Sequence, residues 1–168
     1  MMNATIIKQR FQALVIDFFY ILAYLLLLFI VVISFYHFVL EVTPLFDERT
    51  SQWISFLTTV FPIIIFFSIK EAKKPYASPG KKKVGLRVFY RSNPIRSSVV
   101  RNTFKFLPWQ FGHFSVIRGI YDGFDSAYVL IFYGLAVILP IVYILMVLFR
   151  KDHQHLPDLV SGSCIGSE

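Results

Sequence analysis

The chain is 168 residues long, the size of one modest domain, with 56% hydrophobic residues, 16% charged residues and 19 phenylalanines. A soluble domain carries about 25% charge, so the composition excludes an ordinary water-soluble protein and points to the membrane. The single cysteine, Cys164, excludes an intramolecular disulfide, and the net charge of +7 is informative through its placement.

The first predicted span covers about Phe11 to His37. Its apolar run exceeds the roughly 7–15 residues of a signal-peptide core, and no A-x-A site follows, so it reads as a retained transmembrane helix. Between Arg10 and Leu40 the only formal charge is Asp17. On a helical wheel Arg10, Ala13, Asp17, Tyr20 and Tyr24 share one face, a polar stripe on a lipid-compatible rod. An ionised Asp at mid-bilayer costs about 2.5–3.5 kcal/mol on insertion scales. Asp17 therefore either pairs with a cation or takes up a proton. Arg10 lies about two turns away, roughly 10 Å, so the partner is expected on another helix or a re-entrant segment. Helix glue is one reading of Asp17; a binding or relay site for a proton, cation or small solute is the other.

The loop from about Phe38 to Gln52 sets Glu41, Asp47 and Glu48 against Arg49. The second span, about Trp53 to Ile69, is short and contains Pro62, which is expected to kink it. A basic loop, 70–103, follows. Eleven basic residues lie between Lys70 and Lys105, opposed by Glu71 alone. The positive-inside rule places this loop and the N-terminus in the cytoplasm. Within the loop, "KVGLRVFYRSNPIR" has strand-forming residues and an Asn-Pro turn signal, which predicts a β-hairpin. "ASPGKKKVG" lacks the upstream Gly and the Ser/Thr of a phosphate-binding loop. Anionic lipid headgroups explain Lys81–Lys83 better, and topology accounts for the charge without nucleic acid.

The segment Phe104–Phe124 is ambiguous: aromatic and fairly apolar, but interrupted by Lys105, His113 and Arg118. It fits a short span, a re-entrant turn or an interfacial amphipathic helix. If it does not cross, the tail lies outside; if it crosses or dips, the tail returns inside with fifteen of the 17 basic residues. The second arrangement satisfies the charge rule and is preferred. His113 is a candidate for proton handling, against local hydrogen bonding at the interface. The third clear span, Ala127–Phe149, contains Pro140. In the tail, His153, His155 and Asp158 have a spacing that could hold a metal, but the stretch is short, polar and broken by Pro157. It reads as a soluble cap, with no metal or cofactor. No catalytic Ser-His-Asp order, carboxylate pair or H-E-x-x-H is present, so no enzymatic activity is expected.

These motifs together resemble the RDD family of integral membrane proteins, named for one Arg and two Asp. Arg10 and Asp17 in "RFQALVID" match its first-helix Arg and Asp. "GKKKVGLRV", with Gly80, Lys81 and Gly85, is similar to its G-K-x-x-x-G-L-x-V stretch. Arg101 matches the basic residue that opens the next hydrophobic segment. "QHLPDLVSGSCI" resembles its tail, with Asp158 as the second Asp; Pro157 departs from the pattern. The likeness runs from Arg10 to Ile165. It implies a joint role for Arg10, Asp17 and Asp158, with the C-terminus inside, and an Arg10–Asp158 ion pair or gate is the expectation drawn from it. Family members are mostly of unknown function; transport of ions or small solutes is suggested, and cation/proton exchange for some.

The expected architecture is one all-α membrane domain, 1–168, in the cytoplasmic membrane, with three transmembrane helices and a fourth short, re-entrant or amphipathic segment. The expected function is transport of an ion or small solute by a homo-oligomer, with Asp17 as the working carboxylate. The rival is a non-transporting adaptor or assembly factor whose basic loop binds anionic lipid or a membrane-protein partner.

Overall fold

The computed structural model describes residues 4–40 and 44–167; Glu41, part of the acidic first loop, lies outside them. Among the described residues the structure is helical with one two-stranded sheet, and three helices are long and apolar enough to cross a membrane. The long helices are α1 (Ala4–Phe35, continued by a π-helical turn Tyr36–Leu40), the rod formed by α2 (Glu48–Ser55), a π-helical turn (Phe56–Val60) and α3 (Phe61–Ala72), then α5 (Pro94–Asp122) and α6 (Ala127–Phe149). A small head sits at one end. It consists of α4 (Pro79–Lys83), β1 (Leu86–Tyr90), α7 (Leu156–Ser161) and β2 (Ser163–Ser167).

α1 contains neither Gly nor Pro over 32 residues. Among its described residues only Ala13 and Asp17 are buried. Much of the rest of its surface, Leu26, Leu27, Phe29 and Ile30 included, is exposed and suited to lipid.

The fourth segment is not short or re-entrant. Residues 104–124 fall almost wholly within α5, a continuous 29-residue helix packed between α3 and α6. Near one end its Arg101 meets Glu71, at the end of the rod, and near the other its Arg118 meets Glu48, where the rod begins. α5 therefore runs antiparallel along the rod's length. Sequence apolarity understates it because several of its polar residues are shielded within the fold: Ser98, Arg101, Asn102 and Ser115 are all buried.

Prolines organise the packing. Pro62 has no N–H to give the carbonyl four residues before it, Thr58, and the Tyr24 hydroxyl of α1 donates to that oxygen at 2.5 Å. Pro108 likewise frees the Phe104 carbonyl, which accepts from the Tyr143 hydroxyl of α6 at 3.1 Å. A proline is tolerated in a membrane helix when a neighbour satisfies the freed carbonyl, and for Pro62 and Pro108 that neighbour is a tyrosine on an adjacent helix. Buried Ser68 and Ser98 let α3 and α5 approach closely, the Ser98 hydroxyl donating to the Ser68 carbonyl at 2.7 Å. The apolar core is Val60, Ile63, Phe67 and Phe106.

The expected β-hairpin is replaced by a long-range sheet. β1 pairs antiparallel with β2, from Leu86 opposite Ser167 to Tyr90 opposite Ser163. The Asn-Pro signal marks a helix start instead: Asn93 accepts from the N–H groups of Ile95 and Arg96, and Pro94 takes the first turn of α5, where a missing N–H costs nothing.

Candidate functional site at the head of the bundle

Asp17 faces the head. Its Oδ2 accepts from the Ser78 hydroxyl at 2.6 Å and its Oδ1 from the Gly80 N–H at 2.7 Å. Ser78 caps α4, and Pro79 follows in the first turn. Gly80 is needed for the approach itself, because a Cβ there would overlap the Ala13 carbonyl of α1. The partner of Asp17 thus lies in the basic loop, and it is a pair of neutral donors rather than a cation. Gly85 sits at φ +70 between α4 and β1, a left-handed position that glycine adopts without strain.

The other buried charges form a chain. The Lys81 ammonium pairs with Glu71 Oε1. Glu71 Oε2 accepts from Arg101 Nη1 at 2.6 Å and from the Asn102 amide at 3.0 Å. Arg101 Nε donates to Asp158 Oδ1 at 2.7 Å. His155 Nδ1 accepts from the Asp158 N–H at 3.2 Å, capping α7, and lies 3.0 Å from Asp158 Oδ2. Glu71 and Asp158 are fully buried, and Arg101 is 1% exposed. Buried ions need such partners, since each alone carries a desolvation cost of several kcal/mol. Burial alone would raise the Asp158 carboxyl, but Arg101, joined by His155, holds it well below the usual carboxylate range. Burial lowers the Lys81 ammonium to about 8, with Glu71 opposing the shift.

Two expectations are corrected here. Arg10 forms no ion pair with Asp158, which belongs to Arg101. Arg10 instead donates to the carbonyls of His153 at 2.6 Å and Ile165 at 2.9 Å, clamping the backbone of the tail. Lys81 does not face lipid headgroups, since it is buried on Glu71, whereas Lys82 and Lys83 remain exposed.

Of the remaining stripe on α1, Tyr24 holds the Thr58 carbonyl and Tyr20 is exposed, so neither joins the charge cluster. His113 stacks on Trp109 midway along α5, its Nε2 3.3 Å from the Thr59 hydroxyl. That hydroxyl already donates to the Ser55 carbonyl, so Nε2 is the donor. His153 turns its Nδ1 to the Val147 carbonyl at 2.7 Å while His155 faces Asp158, so the tail's spacing does not converge on a metal. Pro157 fits: it occupies the first turn of α7, and Gly162 ends that helix at φ +62. Glu71, Asn102 and Ser78 were not singled out from sequence. For Glu71 the signal was present, as the lone acid among eleven bases.

A cleft of about 650 Å³ opens between α1 and the α5–α6 pair. Its walls are mostly apolar, and Arg10, Asp17, Lys81, Arg101, Lys105 and His155 open on it.

The family model described as the RDD family matches residues 5–162, nearly the whole chain. No curated protein and no solved structure matches it.

Proposed function

Because this chain belongs to the RDD family of membrane domains, we propose that it carries a monovalent cation across the membrane in exchange for a proton, with Asp17 as the exchanging carboxylate. One observation carries this reading. In the head cluster, Glu71 and Asp158 are each bonded to a cation, whereas Asp17 accepts, among the described residues, only from the neutral donors Ser78 and Gly80 and opens on the cleft. Its charge can change without orphaning a buried cation. A carboxylate held this way suits alternate occupation by a proton and a cation.

The head would lie in the cytoplasm. With α5 counted as a crossing, four crossings bring the first turn of α1 and the tail to the same end, and fifteen of the 17 basic residues then fall on that side or in the segments leading to it. The test is flux in proteoliposomes under an imposed sodium or potassium gradient, read by an internal pH dye. Wild type is expected to show gradient-driven pH change, and Asp17→Asn, inserted and folded to the same extent, is expected to lose it. Absence of flux from well-inserted wild type with both cations overturns the exchanger.

The exposed bases of the head and of the start of α5 favour the second reading, an adaptor. Lys82, Lys83, Arg91 and Arg96 all face outward and suit anionic lipid or an acidic partner. An adaptor would show no flux, and Asp17→Asn would lower its stability or partner binding.

A further inference from the structure

The cleft beside α1 is graded along its length. Toward the head it presents Arg10, Lys105, Lys81 and Arg101; away from the head its lining is Trp109, Gly112 and Ala136. Along α5 the lining runs from Arg101 to Gly112, roughly 16 Å at 1.5 Å per residue. That is about half of a hydrocarbon core ~30 Å thick, the depth of one leaflet.

The charges at the head end are not balanced within the cleft. Lys81 and Arg101 are committed to Glu71 and Asp158. Asp17 opens on the same space with only the neutral donors Ser78 and Gly80 on its oxygens, so its charge offsets one cation. His155 turns its Nδ1 toward Asp158. Lys105 has no carboxylate partner among the described residues, its ammonium lying 4.9 Å from the Phe67 ring centre and 5.1 Å from that of Phe106. Among the described residues Arg10 bonds only to carbonyls, and its buried Nε has no partner. Against Asp17 alone, Arg10 and Lys105 thus leave one positive charge in excess at the head end of a cleft one leaflet deep, whose remaining wall is apolar.

We infer that this cleft is a binding site for an anionic phospholipid, its headgroup on Arg10 and Lys105 and an acyl chain against Trp109, Gly112 and Ala136. The occupant must be amphiphilic, because a free anion would leave the slot empty and a neutral lipid would leave the excess positive charge uncompensated. The site differs from surface attraction to Lys82 and Lys83, which lie on the exposed face of the head. It does not require transport, so it stands whether or not the protein conducts flux.

The two tryptophans make the site testable. Trp109 lines the cleft, while Trp53 is exposed on α2, at the far end of the rod. A Trp53→Phe protein reports from Trp109 alone. It would be reconstituted in phosphatidylcholine vesicles containing a few per cent of either phosphatidylglycerol or phosphatidylcholine brominated on its acyl chains. Brominated phosphatidylglycerol is expected to quench Trp109 several-fold more efficiently. Lys105→Gln is expected to reduce that preference about fivefold, as one basic contact to an anionic headgroup implies. Ala136→Leu, which fills the slot and leaves the charges intact, is expected to reduce quenching by both lipids. A Lys82→Gln/Lys83→Gln double variant is expected to leave the preference unchanged. Equal quenching by the two lipids overturns the proposal. So does a preference that disappears only with Lys82 and Lys83, which marks a surface effect. Shielding of Trp109 from both lipids in wild type also overturns it, since a second copy of the chain would then fill the cleft.

Discussion

The two ends of the helical bundle use the same chemistry in different media. At the head, Lys81, Glu71, Arg101 and Asp158 are linked with almost no exposed surface. At the opposite end, Arg118 bridges Glu48 at 3.1 Å and Asp122 at 2.5 Å, with side-chain exposures of 34%, 26% and 40%. Both sets join α5 to other parts of the fold or extend along it, and both place carboxylates on an arginine. What differs is water. At the far end solvent shares the charges, so each bridge is nearly exchangeable with hydration. At the head no water substitutes for a missing partner, and every member depends on the others. The head is therefore where one substitution should propagate.

The sharpest break in that comparison is Glu71→Gln. It leaves Lys81 and Arg101 buried with one acid, Asp158, between them, and is expected to cost about 3–5 kcal/mol, the range for orphaning a buried charge. Thermal unfolding in detergent would read it, together with protease sensitivity of the head. Adding Lys81→Met should recover part of the loss, because the remaining Arg101–Asp158 pair is self-sufficient. Two losses that simply add would show that the chain of ion pairs is not coupled. Gly80→Ala should rank next. Its methyl would press on the Ala13 carbonyl, and such overpacking costs about 1–3 kcal/mol. Because Gly80 also supplies a donor to Asp17, separation of α1 from α4 should appear as increased hydrogen exchange in the first half of α1.

Acid distinguishes the head through its tail segment. Asp158 ionises well below the ordinary carboxylate range in the folded protein, and burial lowers His155. For both groups the unfolded chain binds the proton first as pH falls. Stability is thus full above the ordinary histidine value, near 6.5, and declines below it through His155. It declines further below about 4 through Asp158. Unfolding midpoints measured from pH 8 to pH 3 should fall in these two stages. His155→Gln should remove the upper stage only, and a single-stage profile unchanged by that variant would remove His155 from the account.

The membrane character of the chain was legible because a bilayer demands long apolar runs, and α6 begins and ends where its run does, at Ala127 and Phe149. Asp17 stood out for the same reason, as did its need for a partner beyond its own helix. The identity of that partner did not. Ser78 and Gly80 are ordinary loop residues until α4 brings them to α1, a contact between residues 63 apart for Gly80. The β1–β2 pairing was hidden because local strand signals carry no information about distant partners, and the nearby Asn-Pro invited a hairpin. The Arg10–Asp158 expectation followed from two opposite charges in one motif set. Arg101, which satisfies Asp158 from the middle of the chain, was placed in the motif set without a partner. α5 was undervalued because hydropathy scores a residue by its own polarity, whereas Ser98, Arg101 and Asn102 are shielded by their neighbours.

The mildest test is at the far end. Arg118→Gln removes both partially solvated bridges, and Glu48 and Asp122 can turn to water when the guanidinium is gone. The expected loss is at most about 1 kcal/mol, and it should shrink as salt is added. Another contact keeps the geometry there: the Tyr121 hydroxyl donates to the Phe46 carbonyl at 2.5 Å. The rod and α5 should therefore stay in register without the charges. If Arg118→Gln instead cost as much as Glu71→Gln, with no salt dependence, the far end would be as dry as the head. The difference between the two ends could not then be one of hydration.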